Sequence, residues 1–286
     1  MNNKNIVLKF SCDDKPGIVA AVATFFSSLG YNIKESSQFE DTERKRFFMR
    51  TELEPVNQSV ELPELRAQFE GLAKGYDMNW DIQTSDYRPR VVLAVSKWGH
   101  CLNNLLNSWK TGSLPVDITG VVSNHDDMRD QVEWYGLPYH HFPVTADTKA
   151  QQEAQILAVM GDTNADLLVL ARYMQILSED LCRQLNGRAI NIHHSFLPGF
   201  KGAKPYHQAY ARGVKIIGAT AHYVTSDLDE GPIIEQSVER VSHANSADEL
   251  VDIGRDIEAT VLNRAVKWHA QSRVMLNGSK TIVFRR

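Results

Sequence analysis

Three side chains in the second half of the sequence have the chemistry that a reaction at a carbonyl group needs. Asn191 and His193 lie two residues apart in the run 189–198, which changes from an apolar strand pattern into a polar loop. Residues at i and i+2 of an extended segment point to the same face, so the amide and the imidazole can meet at one atom. Asp229 lies in an acidic turn before another strand pattern and can return a carboxylate to the same crevice.

These three groups match the demands of hydrolysing a neutral formamide. The carbonyl oxygen must be polarised, a water must be positioned, and a proton must reach the departing nitrogen. A structural interpretation is also open, because a histidine near a strand end is often only hydrogen-bonded, and Asp229 before Gly231 can simply form a turn. The combination of all three residues favours the catalytic interpretation, and it requires no metal.

The region around these residues alternates short Val/Leu-rich runs with helical patterns. Strands are predicted at 91–95, 116–122, 139–142, 167–171, 189–192 and 233–238, and helices near 101–110, 149–160, 177–185 and 247–269. This alternation predicts a Rossmann-like, mostly parallel, doubly wound α/β sheet. Ligands bind at the carboxyl ends of strands in such sheets, which is where Asn191 and His193 lie.

The first 84 residues predict a different order of strands and helices. Their pattern is βαββαβ, with a strand at 4–11, a helix to about residue 29, a hairpin at 31–53, a second helix and a last strand at 78–83. That order predicts a ferredoxin-like sheet with its helices on one face. The polar segment before Pro89 is the candidate linker, so the predicted divisions are 1–84, 85–89 and 90–286.

Composition excludes several classes of protein. The net charge of -4 gives no general attraction to nucleic acid, and no apolar stretch is long enough to span a membrane. Cys12, Cys101 and Cys182 are odd in number and have no CxxC spacing, which argues against disulfides and structural zinc and indicates buried thiols. The start has no secretory pattern, so the cytoplasm is the expected location.

Two sets of motifs in the first 84 residues carry a family resemblance. The turn Asp-Lys-Pro-Gly-Ile at 14–18 and the run Leu-Gly-Tyr-Asn-Ile at 29–33 resemble an ACT domain, a module that binds small effectors or mediates assembly. The resemblance implies an amino-acid effector such as glycine or methionine, with Asp13, Gly30 and Asn32 as candidate contacts. Gly30 and Asn32 can also be read as a helix stop and a turn. A homo-oligomer, dimer or tetramer, is expected.

The run Asn-Ile-His-His-Ser-Phe-Leu-Pro-Gly-Phe-Lys-Gly at 191–202 resembles the signature of formyltetrahydrofolate-dependent formyltransferases. In that family an Asn-x-His strand end and a downstream Asp-x-Gly loop form the catalytic triad. The resemblance therefore implies catalytic roles for Asn191, His193 and Asp229. It also implies folate contacts from the following residues: Tyr173, Met174, Gln175, Ile176, Leu177 and Gly231.

Two departures separate this sequence from the transformylases of that family. His194 replaces their usual proline, and the loop 96–101 has one glycine, so its backbone is less suited to cradle a phosphate. Water is then the better acceptor, and His194 is a candidate to position it. With the ACT-like region and Ala-Lys-Pro-Tyr-His-Gln-Ala at 203–209, the chain closely resembles formyltetrahydrofolate deformylases over essentially its whole length.

That resemblance implies hydrolysis of 10-formyltetrahydrofolate to formate and tetrahydrofolate, with no added cofactor. The formate would supply purine biosynthesis, and the reaction would balance the one-carbon pool. The alternatives are formyl transfer of the phosphoribosylglycinamide type and a non-catalytic sensor of folate and an amino acid. Formate release without an acceptor separates hydrolysis from both.

Overall fold

The chain divides into two compact units. The computed structural model describes residues 4–56, 60–199 and 205–285. One unit contains Met1–Tyr87, Gln271–Asn277 and Ile282–Arg286, and the other contains Arg88–Ala270 and Gly278–Thr281. The sequence analysis assigned all of 90–286 to the second domain. That assignment is wrong for Gln271–Asn277 and Ile282–Arg286, which belong to the first unit. Met275 and Phe284 form an apolar cluster with Phe48, because the sheet of the first unit has a second apolar surface to cover.

The first unit is the predicted ferredoxin-like βαββαβ arrangement. Its elements are β1 (Ile6–Asp13), α1 (Ile18–Ser28), β2 (Tyr31–Asp41), β3 (Arg46–Pro55), α2 (Leu62–Gly75) and β4 (Asn79–Thr84). The strand order is β2-β3-β1-β4, and neighbouring strands are antiparallel. Alternate side chains of β1 enter one core with the apolar faces of α1 and α2, in which Phe26 stacks on Phe69. The period of two in β1 and the i, i+4 spacing in the helices explain this packing.

The second unit is a seven-stranded sheet in the order β11-β10-β9-β8-β5-β6-β7. Its elements are β5 (Arg90–Val95), α3 (His100–Lys110), β6 (Asp117–Ser123), α4 (Arg129–Trp134), β7 (Tyr139–His141), α5 (Lys149–Asp162), β8 (Leu167–Leu170), α6 (Glu179–Gln184), β9 (Ala189–His193), α7 (Pro205–Ala211), β10 (Ile216–Tyr223), β11 (Ile233–Arg240) and α8 (Ala247–Ala270). Strands β5 to β9 run parallel, and β10 is antiparallel to both neighbours. The predicted doubly wound, mostly parallel fold is therefore confirmed. A final hairpin is formed by β12 (Val274–Asn277) and β13 (Lys280–Val283).

The parallel strands are buried on both faces, as their continuous apolar runs predict. Leu167, Leu168 and Val169 of β8 have no exposed surface. The sequence analysis did not predict β10, whose residues are IIGATAHY. Its small residues Gly218, Ala219 and Ala221 give a weaker strand pattern, although they pack well between two neighbouring strands.

The first strand of the sheet, β5, lies between β6 and β8, so the chain changes direction there. Loops at such a point leave the carboxyl edge on opposite faces and open a crevice. Ser96, buried directly after β5, ties these loops together. Its hydroxyl donates to Asn124 Oδ1 at 2.7 Å and accepts from the Met174 amide at 2.9 Å. Its own amide donates to the Arg172 carbonyl at 3.2 Å.

The predicted state of the cysteines is confirmed, since Cys12, Cys101 and Cys182 are free and buried. Burial raises the pKa of each thiol, so all three are protonated and unreactive at neutral pH. Within the described ranges, the helices are too short or too polar to cross a membrane.

Replacing Ser96 with alanine should destabilise the second unit by about 1–3 kcal/mol, because the buried Asn124 side chain and the Met174 amide lose their partner. The free energy of unfolding measured in urea tests this. Ser113→Ala is the matched control, since Ser113 is exposed and its loss should change stability by less than about 0.5 kcal/mol. Equal stabilities for the two variants would contradict the role given to Ser96.

Candidate active site

The three predicted catalytic side chains meet at one cavity. Asn191 and His193 occupy the carboxyl end of β9 and share one face of the strand. Asp229 comes from the loop between β10 and β11, and its Oδ1 lies 3.2 Å from His193 Nδ1. The cavity measures about 230 Å³ and is lined by all three side chains. The strand end and the acidic turn therefore converge, as their sequence positions predicted.

The loop after β8 forms another wall of this cavity. The lining includes five of the six residues predicted to contact folate: Tyr173, Met174, Gln175, Ile176 and Leu177. Met174 and Ile176 are more than half exposed, which gives this wall an open apolar surface. Such a wall suits a flat heteroaromatic ring.

The sixth, Gly231, is not among the lining residues. It packs instead against the backbone of β10, where an added Cβ would collide with the carbonyl oxygen of Tyr223. Glycine is needed because the two chain segments approach closely. Gly231 thus holds the loop against β10, and Asp229, itself at a φ of 59°, is aimed at His193 from that loop. Its role is in loop geometry rather than in lining the cavity.

The electrostatics of this pair favour an ionised carboxylate. Partial burial opposes ionisation of Asp229, but the hydrogen bond with His193 and then the charge of His193 are the main effects that outweigh it, so the pKa of Asp229 is lowered. The carboxylate accepts from His193 Nδ1, which leaves Nε2 as the atom that can face a ligand. His193 Nε2 is buried and has no hydrogen-bond partner among the described residues.

His222 is a part of the site that the sequence analysis missed. Its Nδ1 lies 2.8 Å from its neighbour's carbonyl oxygen, so this nitrogen carries the proton. Nε2 then accepts from Asn191 Nδ2 at 3.3 Å and lies 3.8 Å from Asp229 Oδ1. Burial lowers the pKa of His222, which keeps the ring neutral. His222 thereby orients the Asn191 amide and leaves its second N–H for a ligand.

The cause of this omission is the unpredicted strand β10. A shift in register between Ala221 and His222 marks a bulge, which turns His222 toward the active-site edge. Pairing across β9 and β10 places His222 opposite Asn191. From the sequence alone, a single histidine in a segment with no assigned strand gives no sign that it will contact Asn191.

His194, the candidate for positioning water, lines the same cavity. Its ring stacks on that of His193, with centroids 5.0 Å apart. Burial, followed by the charges of Arg172 and His193, lowers the pKa of His194 to about 4. The ring is therefore neutral at pH 7 and can both donate and accept a hydrogen bond.

A buried cluster behind the cavity was also missed. Glu258 of α8 accepts from the Tyr206 hydroxyl at 2.7 Å, and its other oxygen lies 2.8 Å from His100 Nε2 and 3.3 Å from Arg172 Nε. His100, the first residue of α3, belongs to this cluster. With Cys101 and Glu258 it has the donor atoms of a metal site, but the Arg172 guanidinium occupies the same carboxylate oxygen. The cluster is better described as an ion-pair network.

Part of the sequence motif beyond β9 cannot be placed. The signature residues 200–202 and the first two residues of the 203–209 motif, Ala203 and Lys204, lie outside the described residues. Within the rest of that motif, Tyr206 is buried and contributes to the Glu258 cluster.

The candidate effector residues do not form one site within a single chain. Asp13 pairs with Arg46 at one end of β3, whereas Asn32 pairs with Glu54 at the other end. These positions are separated by eight residues of β3, about 27 Å in an antiparallel strand. Asp13 instead forms an ion pair with Arg46 at 3.0 Å. Within one copy of the chain Asp13 thus lies far from Asn32, and the assignment of Asp13, Gly30 and Asn32 as effector contacts stays a prediction.

Each of the two units matches a known protein family. The formyl transferase family model matches residues 89–266, and the ACT domain model matches residues 6–70. A formyltetrahydrofolate deformylase from Corynebacterium sp. (strain P-1) is 47% identical over 279 residues and covers 98% of each chain. This chain belongs to the formyltetrahydrofolate deformylase family.

Solved structures give the same result. The crystal structure of formyltetrahydrofolate deformylase from Burkholderia mallei superposes with a TM-score of 0.95 and 51% identity, covering 99% of this chain and 100% of that one. Phosphoribosylglycinamide formyltransferase from Anaplasma phagocytophilum is 32% identical with a TM-score of 0.63. The matched region makes up 95% of the formyltransferase chain but only 69% of this chain. The likeness to the deformylase thus includes both units.

The low pKa of His194 should make stability depend on pH in a defined window. The folded pKa, about 4, is below the ordinary value of 6.5, so the unfolded chain binds the proton more readily. Stability is therefore retained above pH 6.5 and lost as pH falls from 6.5 to 4, by up to about 1.4 kcal/mol per pH unit. His194→Gln should lose stability less steeply in that window.

Urea unfolding at several pH values measures this slope. His243→Gln is the control, because His243 is exposed in the loop before α8 and its removal should leave the wild-type slope unchanged. His222 is present in all three proteins, so its contribution cancels. Identical slopes for wild type and His194→Gln would show that His194 is not buried in its neutral form.

Proposed function

We propose that this chain hydrolyses 10-formyltetrahydrofolate to formate and tetrahydrofolate with Asn191, His193 and Asp229. The observation that carries the proposal is the buried Nε2 of His193. This nitrogen has no partner among the described residues, its ring is held by Asp229, and it lies on the same strand face as the Asn191 amide. The Asn191 N–H, together with the Nε2–H that His193 gains when it takes the proton of the water, suits a carbonyl oxygen that gains negative charge.

The reaction begins with the pterin ring against the wall formed by residues 173–177. Asn191 donates to the formyl oxygen, and water attacks the formyl carbon as its proton passes to the Asp229–His193 pair. The resulting oxyanion is stabilised by Asn191 and the His193 imidazolium. Collapse of this intermediate breaks the C–N bond, the folate nitrogen takes a proton, and formic acid leaves as formate.

Neutral His194 beside His193 supports water as the attacking group. A neutral imidazole can accept one hydrogen of a water molecule and hold its lone pair toward the carbon. The full-length likeness to deformylases supports the same choice, because the phosphoribosylglycinamide formyltransferase covers only 69% of the chain. In this proposal the reaction takes place in the cytoplasm, supplies formate for purine biosynthesis and balances the one-carbon pool.

Replacing Asn191 with alanine should lower the rate of formate release on the order of 100- to 1000-fold, because one oxyanion donor is lost. Folate affinity should change little, since the pterin wall is intact. Asp229→Asn should also lower turnover, because the amide cannot hold a His193 imidazolium. The measurement is formate production from 10-formyltetrahydrofolate with no amine acceptor present, with tetrahydrofolate binding measured separately.

Asn186→Ala is the matched control, since Asn186 is exposed in the turn before β9 and should keep wild-type turnover. Near-normal hydrolysis by Asn191→Ala would refute its role. Wild-type enzyme that binds folate and releases no formate would refute hydrolysis itself and favour the sensor alternative.

The proposal extends to regulation by the ACT unit, with an amino acid such as glycine or methionine as effector. Because Asp13 and Asn32 lie at opposite ends of β3, a site that contains both needs a second copy of the chain. A homo-oligomer, dimer or tetramer, is therefore part of the proposal.

Glycine or methionine should change the turnover rate or the melting temperature of the wild type, and Asn32→Ala should weaken that response without changing turnover in the absence of effector. Asn32 is exposed, so the substitution should not disturb the fold. If neither compound changes the rate or the melting temperature, this pairing of domain and effector is wrong.

A further inference from the structure

Arg172 has a backbone conformation that arginine rarely adopts. It follows β8 with a φ of 64°, in the left-handed region, and its carbonyl accepts the amide of Ser96 at 3.2 Å. Glycine takes this conformation freely, whereas a residue with a Cβ pays on the order of 1–2 kcal/mol. A strained residue in the wall of a cavity indicates that its side chain has a use there.

The side chain of Arg172 is held from one side by Glu258. Arg172 Nε lies 3.3 Å from Glu258 Oε2, which makes an ion pair without the geometry of a hydrogen bond, and the side chains are 13% and 1% exposed. Burial opposes ionisation of Glu258, but His100, Arg172 and Tyr206 outweigh it and lower the pKa of the carboxyl. The buried carboxylate is thus a fixed negative charge that orients the guanidinium.

The Tyr206 contact with Glu258 also depends on close packing. The Tyr206 ring lies over Gly254, one helical turn before Glu258, where an added Cβ would collide with the ring. The hydroxyl thereby reaches Glu258 Oε1 at 2.7 Å. The contact with Tyr206 therefore restricts the position of the Glu258 carboxylate, and with it the position of the paired arginine.

The other edge of the guanidinium has no hydrogen bond to any described residue. Neither Arg172 Nη1 nor Nη2 is among the buried side-chain atoms that lack a partner, so both can be reached by a ligand. Arg172 lines the cavity that contains His193 and Asp229. Two parallel N–H groups on a fixed guanidinium match the two oxygens of a carboxylate.

Hydrolysis creates such a group, and formyl transfer does not. Breaking the C–N bond with water converts a neutral formamide into formic acid, which ionises to formate at neutral pH and releases one proton. Formate forms beside Asp229, whose carboxylate repels it, and Asp227 lies in the same wall. Arg172 is the only lysine or arginine in the described lining of the cavity. A cation at this position offsets the repulsion.

We propose that Arg172 is the formate-binding residue of the hydrolytic site and that Glu258, supported by His100 and Tyr206, is its positioning residue. This inference rests on the proposed hydrolysis, because only hydrolysis produces the anion. The neutral formyl group of the substrate makes no comparable demand on Arg172. Replacing Arg172 should therefore weaken the binding of the product formate much more than the binding of the substrate.

Sodium formate is the probe, added to enzyme saturated with tetrahydrofolate, and its binding is measured by calorimetry at constant ionic strength with chloride as the reference anion. Arg172→Gly should fold, because glycine suits the left-handed backbone, and should bind formate on the order of 10- to 100-fold more weakly. Inhibition of turnover by formate should weaken by the same factor, while the KM for 10-formyltetrahydrofolate changes less than about threefold.

Arg172→Lys keeps the charge and loses the paired N–H groups, so its formate affinity should lie between those of wild type and Arg172→Gly. This variant also decides the question if Arg172→Gly fails to fold. Arg183→Gln, which removes an exposed arginine of α6, should bind formate as the wild type does.

Equal formate affinity in wild type, Arg172→Gly and Arg172→Lys would overturn the inference, as would a loss in Arg183→Gln of the same size. An equal rise in KM for substrate and in the dissociation constant for formate would reduce Arg172 to a structural role. In each case wild-type formate release without an acceptor is measured alongside, so a failure of the hydrolytic function is distinguished from a failure of the formate site.

Discussion

The contact between His193 and Asp229 is the interaction on which the rest of the site depends. A histidine ring at a strand end could rotate, but a carboxylate 3.2 Å from Nδ1 of His193 fixes the orientation of the ring and its tautomer. The neighbouring elements serve this contact. The end of β9 presents His193, and Gly231 lets the following loop close on β10 so that Asp229 reaches it. His222 then fixes the amide on the same strand face.

The two carboxylates near this pair differ in their burial. The partly buried Asp229 carboxylate and the neutral rings of His194 and His222 border the cavity, while the Glu258 carboxylate lies behind it. Burying a carboxylate is costly unless its oxygens are satisfied, and Glu258 has three partners. Such a network adds little to stability compared with an apolar core. Its value is that a guanidinium beside the cavity has a fixed position.

The sequence was informative where a single pattern determined the structure. Continuous apolar runs such as 167–170 identified buried parallel strands, and alternation in β1 identified the sheet of the first unit. The Asn-x-His spacing placed Asn191 and His193 on one face, because a strand has a fixed period of two. The sequence was silent where partners come from distant elements. His222 depends on a bulge in an unrecognised strand, and Glu258 meets His100 and Arg172 only after α8 packs on the sheet.

The first unit is built from two distant parts of the sequence, since Met275 and Phe284 complete the apolar cluster around Phe48. A ribosome therefore releases Phe48 long before it adds Met275 and Phe284, and Phe48 lacks this cover until those residues emerge. The same arrangement limits modular exchange. A recombination event at the linker alone would transfer a sheet without its cover, so transfer of the first unit together with its cover requires two crossovers, one on either side of the second unit.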